Sequence, residues 1–149
     1  MSDSHVTDRL EVVAHTRNLA IVREFLHSAI KRSRLPQRDV NKVVLAVDEA
    51  VANTIQHGYE GRVDGTVEVL IDADEQRFTV RIRDNGISYD AAKGSEAKAN
   101  IDMQAHITAG SKRGLGLFIM RKVMDEVRYT SREGDMNELT LVKLIVSGQ

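Results

Sequence analysis

Apolar residues change their spacing several times along this chain, and each change marks an element. In Arg9–Ala14, Leu10, Val12 and Val13 supply the side chains of a strand. From Asn18 to Arg32 the apolar positions move to helical spacing, with Leu19, Val22, Phe25, Leu26 and Ala29 on one face. Pro36, the only proline, falls in the first turn of a second helix, where its fixed φ is tolerated. That helix runs to His57, and Gly58 supplies its stop. Its apolar face consists of Val40, Val43, Val44, Val47, Ala50, Val51 and Thr54. Thr66–Asp72 and Phe78–Asp84 then read as two strands joined by a hairpin connection at 73–76. Residues 86–113 are polar and weakly patterned, and a stretch of that length in a small domain predicts a lid or binding loop over about 87–113. A helix from Gly116 to Glu126 follows, and strands Val127–Ser131 and Leu139–Val146 flank a turn at 133–135. Strand, two helices, two strands, lid, helix, two strands is the order of an α+β two-layer sandwich: a mixed, mainly antiparallel sheet with helices on one face.

Composition narrows the function classes. The 149 residues suit one domain, 1–149, with a real core. Apolar residues are 42% and charged residues 29%, an ordinary globular balance. Net charge is -1 and no long basic run occurs, which argues against nucleic acid as a direct partner, since neutralising phosphates takes clustered Lys and Arg. The absence of cysteine removes disulfides, thiolate metal sites and cysteine nucleophiles. The first residues carry no apolar stretch of signal type, and no segment has the apolar length of a membrane span. The expected location is the cytoplasm, with no membrane partner.

Candidate chemistry gathers at three places. On the second helix Glu49, Asn53 and His57 recur every fourth residue on one side. No Lys or Arg occurs between Val43 and Gly61, and Leu45, Ala46 and Ala52 flank the stripe, so a carboxylate, an amide and an imidazole line a surface otherwise small and apolar. Glu49 is suited to accept a proton from a hydroxyl, and Asn53 offers a carbonyl oxygen to Mg²⁺. His57 either orients a phosphate or caps the helix end. In Phe78–Asp84, period two puts Asp84 on the side of Phe78, Val80 and Ile82. It is either a turn residue at a strand end or a buried carboxylate awaiting a ligand donor such as an exocyclic amine. Finally, Lys112-Arg-Gly114-Leu-Gly116 precedes an apolar-periodic helix, an arrangement whose N–H groups suit phosphate and whose Lys112 and Arg113 add positive charge. Neither a Walker loop nor a dinucleotide fingerprint is present.

In this order and spacing the three features resemble the GHKL ATPase superfamily. Glu49-x-x-x-Asn53-x-x-x-His57 is similar to its N box, Asp84-Asn-Gly86 to its first glycine box, and Gly114-Leu-Gly116 to its second. Within it, Val47–Tyr59, Gly114–Met120 and Met124–Val127 resemble the small anti-sigma factors that are serine protein kinases, and the likeness covers nearly the whole chain. Ser88 stands where histidine kinases carry a second glycine, which departs from their lid pattern. The resemblance implies a serine/threonine protein kinase with ATP and Mg²⁺ as cofactors. Glu49 would be the general base, and Asn53 the Mg²⁺ ligand. Asp84 would accept from the adenine amine, and Gly86 would let the base approach. Gly114, Leu115 and Gly116 would present N–H groups to the phosphates, with Lys112 or Arg113 at the γ-phosphate. It further implies a STAS-domain anti-anti-sigma protein as substrate, a sigma factor as partner and a homodimer.

Other classes fit less well. A histidine kinase needs a separate dimerisation helix pair with a phospho-acceptor, and no suitable motif surrounds His27. A topoisomerase or chaperone ATPase needs a following transducer domain. Two rivals share the same nucleotide residues: an ATP-gated partner-binding module without kinase activity, and a switch kinase that binds no sigma factor. Glu49 favours a kinase, because binding alone needs no base.

Overall fold

The structure, a computed structural model, describes residues 5–58, 65–85, 112–131 and 136–145. Strand β1 (Val6–Val13) leads through a 3₁₀ turn, Thr16–Asn18, into helix α1 (Leu19–Arg32) and then α2 (Gln37–Asn53). A π-helical turn, Thr54–Gly58, ends α2. Strands β2 (Thr66–Ala73) and β3 (Arg77–Asp84) form a hairpin; helix α3 (Lys112–Val123) and strands β4 (Glu126–Ser131) and β5 (Asn137–Leu144) complete the fold.

The sheet runs β1-β2-β3-β5-β4. All four pairings are antiparallel, so among the described residues the sheet is not mixed. One face carries Val67, Val69, Ile71, Phe78, Val80 and Ile82, each at most 1% exposed, beneath the helices. Each such side chain contributes about 1.5–3 kcal/mol on leaving water. Helix α1 buries Val22, Leu26, Ala29 and Ile30, while Leu19 and Phe25 pack at the margin of the core. Helix α2 buries Val40, Val43, Val47, Ala50 and Val51, and also Ala46, on the sides turned to the sheet and to α3.

Local polar contacts explain the boundaries. Pro36 caps α2 in extended conformation (φ -65°, ψ 148°), which a pyrrolidine ring prefers. Asp39, buried in the first turn, sits at the positive end of the helix dipole with Lys42 3.7 Å away. The hairpin turn is held by Asp74, whose Oδ1 accepts from the N–H groups of Gln76 (2.8 Å) and Arg77 (3.0 Å). The C-terminus of α3 is capped from β5: Lys143 Nζ donates to the Val123 carbonyl at 3.2 Å and lies 3.5 Å from Asp125. The opposite sheet face carries paired charges across four strands. Arg9 bonds Glu68, Glu68 lies 4.0 Å from Arg83, and Arg83 donates to Glu138 at 2.7 Å.

The expected and observed helices differ at two ends. Helix α2 stops at Asn53 as an α-helix, four residues before His57. The Thr54 N–H is shared between the Ala50 and Val51 carbonyls and its hydroxyl donates to Ala50 at 2.9 Å, which widens the next turn. Helix α3 begins at Lys112 rather than Gly116. No described helix is long and apolar enough to cross a membrane.

Candidate functional site

Helix α2 builds the first wall. Its regular geometry places Glu49 and Asn53 one turn apart on the same side. Asn53 is 5% exposed, and its Nδ2 has no hydrogen-bond partner among the described residues. Leaving a buried donor unpaired costs about 1–3 kcal/mol, so such a group calls for a partner beyond the described residues. Glu49 is half-buried, and Leu45, one turn earlier, is 42% exposed. The backbone of His57 lies in the π-helical turn, a geometry that recurs at functional sites.

The floor comes from β3 and β5. Asp84 ends β3 on the face of Phe78, Val80 and Ile82, as the alternation predicts, and is half-buried. Its cross-strand neighbours are Val67 and Asn137. Asn137 is 2% exposed and its Nδ2 donates to Asp84 Oδ1 at 3.0 Å. The carboxylate is therefore held at a cross-strand contact rather than by a turn bond alone. Thr140, three residues further along β5, pairs with Arg81 and lies on the other face of the sheet. It is not on the floor that carries Asp84.

The third wall is α3, which packs against α2. Lys112, Arg113, Gly114, Leu115 and Gly116 belong to its opening turns rather than to a turn preceding it. An α-helix beginning at Lys112 leaves the N–H groups of Lys112, Arg113 and Gly114 without intrahelical acceptors, whereas that of Gly116 faces the Lys112 carbonyl. Gly86 and most of the expected lid, 87–111, lie outside the described residues.

Asn137 is the site residue that sequence reasoning missed. The expected strand begins at Leu139 and the expected turn covers 133–135, so Asn137 falls between the two. The available signal was parity: once the strand starts at Asn137, that residue shares a face with Leu139 and Leu141.

The residues fit a nucleotide with its cation. An amide nitrogen without a partner suits a phosphate oxygen, and the same amide turned by 180° presents Oδ1 to a cation. A carboxylate set in an apolar floor suits an amine donor.

Known proteins are similar to this chain in sequence. The sequence pattern of the histidine kinase-like ATPase domain matches residues 12–143. The serine-protein kinase RsbW of Bacillus velezensis is 30% identical over 90% of this chain and 84% of its own length. The anti-sigma F factor of Clostridium beijerinckii is 29% identical over 96% of both chains. The serine-protein kinase RsbW of Listeria monocytogenes is 29% identical over 90% of this chain and 85% of its own.

Proposed function

The chain belongs to the histidine kinase-like ATPase family, and from that premise we propose that it is an ATP-dependent serine/threonine protein kinase and anti-sigma factor. In this reading it phosphorylates a STAS-domain anti-anti-sigma protein and binds a sigma factor. It acts as a homodimer in the cytoplasm, as one domain, 1–149, with a lid over about 87–113. The names of its relatives, serine-protein kinase and anti-sigma F factor, support both halves.

One observation carries the reading: a buried amide without a partner among the described residues, Asn53, sits one turn after a half-buried carboxylate, Glu49. Asp84 accepts from the adenine amine and Gly86 allows close approach of the base. The first N–H groups of α3, those of Lys112, Arg113 and Gly114, receive the phosphates, with Leu115 and Gly116 in the turn behind them. Lys112 or Arg113 places positive charge beside the γ-phosphate, and His57 lies at the phosphate end of α2. Asn53 Oδ1 would hold Mg²⁺, which when bound neutralises phosphate charge.

Glu49 supplies the chemistry. A seryl oxygen of the partner attacks the γ-phosphorus, the new O–P bond forms as the bond to the β,γ-bridging oxygen breaks, and ADP leaves. The hydroxyl proton passes to the Glu49 carboxylate. Positioning and charge neutralisation provide most of the rate. Leu45, exposed one turn before Glu49, offers apolar surface to a protein acceptor.

The test is transfer of radiolabelled γ-phosphate from ATP to a STAS-domain protein encoded near this gene. Labelling by wild type and not by Glu49→Ala is expected. Equal labelling by both, or labelling by neither, refutes the kinase. Capture of a sigma factor separates the anti-sigma role from a switch kinase that binds none.

A further inference from the structure

We infer that Thr54 is a positioning residue for the cation end of the site: by closing the last α-helical turn of α2 it sets where the Asn53 amide stands toward the metal of Mg·ATP. The inference rests on the ATP reading above and deepens it. Thr54 acts through its neighbour Asn53 and not on the ligand.

Asn53 is the last residue of α2, and its Nδ2 has no hydrogen-bond partner among the described residues. An amide not anchored at its tip points where its Cα–Cβ bond directs it, so the backbone of its own turn decides its position. That turn, Ala50 to Thr54, is closed twice from Thr54. The Thr54 N–H is shared between the Ala50 and Val51 carbonyls, and the Thr54 hydroxyl donates to the Ala50 carbonyl at 2.9 Å. Immediately beyond, the helix changes pitch. Thr54–Gly58 is a π-helical turn, whose i→i+5 bonds enclose one residue more than those of an α-helix. A widening that began one position earlier would take Asn53 into the wide turn and rotate its Cα–Cβ bond about the helix axis. The doubly occupied Ala50 carbonyl holds the change at Thr54. Threonine suits this place, because its hydroxyl can bond the carbonyl four residues back in one of its two helical rotamers. On the far side Ile55 is 7% exposed and belongs to the core, which anchors the wide turn independently. Asn53 thus stands at a junction held on both sides by contacts within the chain. Such a group is oriented before its ligand arrives and loses less freedom on binding.

The experiment measures ATP affinity by calorimetry, once with Mg²⁺ and once with EDTA in its place. Wild type, Thr54→Val, Thr54→Ala and Thr54→Ser are compared. Val keeps the branched shape and Ala the helix propensity, but neither has a donor; Ser keeps the donor without the methyl group. The readout is the gain in affinity that Mg²⁺ brings. In Thr54→Val and Thr54→Ala that gain should fall about three- to ten-fold, the scale of one hydrogen bond. In Thr54→Ser it should stay within about two-fold of wild type. A purely structural role would weaken binding with and without Mg²⁺ by the same factor and leave the gain alone. Either donor-free variant decides if the other does not fold, and failure of both to fold makes the contact structural and overturns the inference. A wild-type gain in a donor-free variant, or a gain in Thr54→Ser as low as theirs, overturns the role of Thr54 and leaves ATP binding intact. A wild type whose ATP affinity Mg²⁺ does not raise overturns the inference together with the cation role of Asn53. Failure of wild type to bind ATP at all overturns the ATP reading itself.

Discussion

Replacing Asn53 by Ala should make the nucleotide-free protein more stable and make it indifferent to ATP. Asn53 is 5% exposed and its Nδ2 donor has no partner among the described residues. Relieving an unsatisfied buried donor returns about 1–3 kcal/mol. Alanine adds roughly 0.5 kcal/mol of helix propensity near the end of α2. Against these stands a small cavity where the amide was, on the order of 1 kcal/mol. The balance is about 1 kcal/mol in favour of the variant, a rise of roughly 3 °C in melting temperature for a chain of this size. Wild type should gain about 2.7 kcal/mol from Mg·ATP at a hundred times its dissociation constant, a rise of roughly 5–10 °C. The variant should gain almost none of it. Differential scanning of both proteins, with and without Mg·ATP, reads all four states. A nucleotide-free variant that melts several degrees below wild type would mean that the amide is paired and structural. A variant shifted by ATP as far as wild type would remove Asn53 from the ligand site.

Three further outcomes follow from particular contacts. Asp84→Asn replaces a charged acceptor by a neutral one, so ATP affinity by calorimetry should fall about ten-fold; unchanged affinity would remove Asp84 from the ligand site. Lys143→Met keeps the aliphatic stem but removes the cap on the Val123 carbonyl and the partner of Asp125, with an expected loss of about 1–2 kcal/mol. It should appear as a lower urea midpoint at constant slope. Asp74 is held below its ordinary 3.8 by the Gln76 N–H first and the Arg77 N–H after it. Its contribution to stability is therefore present above 3.8 and is lost as pH falls through the lowered value. The stability difference between wild type and Asp74→Ala should vanish on acidification to about pH 2 and be constant between about pH 6 and pH 8.

What could be read from the sequence was whatever a single element's period decides. The helical repeat puts Glu49 and Asn53 on one side of α2 whatever surrounds them, and strand alternation puts Asp84 on the face of Ile82. Tertiary contacts decided the rest. Gly114 and Gly116 carry poor helix propensity and argued for a later start of α3, yet packing against α2 extends the helix to Lys112. The end of α2 depends on where the Thr54 hydroxyl points, which residue type alone does not determine. Asn137 was hidden because its role exists only in the register of β3 with β5, a pairing between residues far apart in sequence.

The two buried amides of the site stand in opposite conditions, and the contrast bears on how it works. Asn137 gives its Nδ2 to Asp84, whereas Asn53, almost as deeply buried, gives its own to nothing among the described residues. The first bond stabilises the chain before any ligand arrives; the second amide gains stability from any partner beyond the described residues. Under the ATP reading, the adenine end of the site is built in advance and the phosphate end is completed by the ligand. Nucleotide then binds a floor already formed and supplies a partner to Asn53 on α2, one turn from Glu49. Under the same reading, ligand binding and acceptor chemistry meet on one helix, since the group that ATP would satisfy, Asn53, lies one turn from the carboxylate that would act on the acceptor, Glu49.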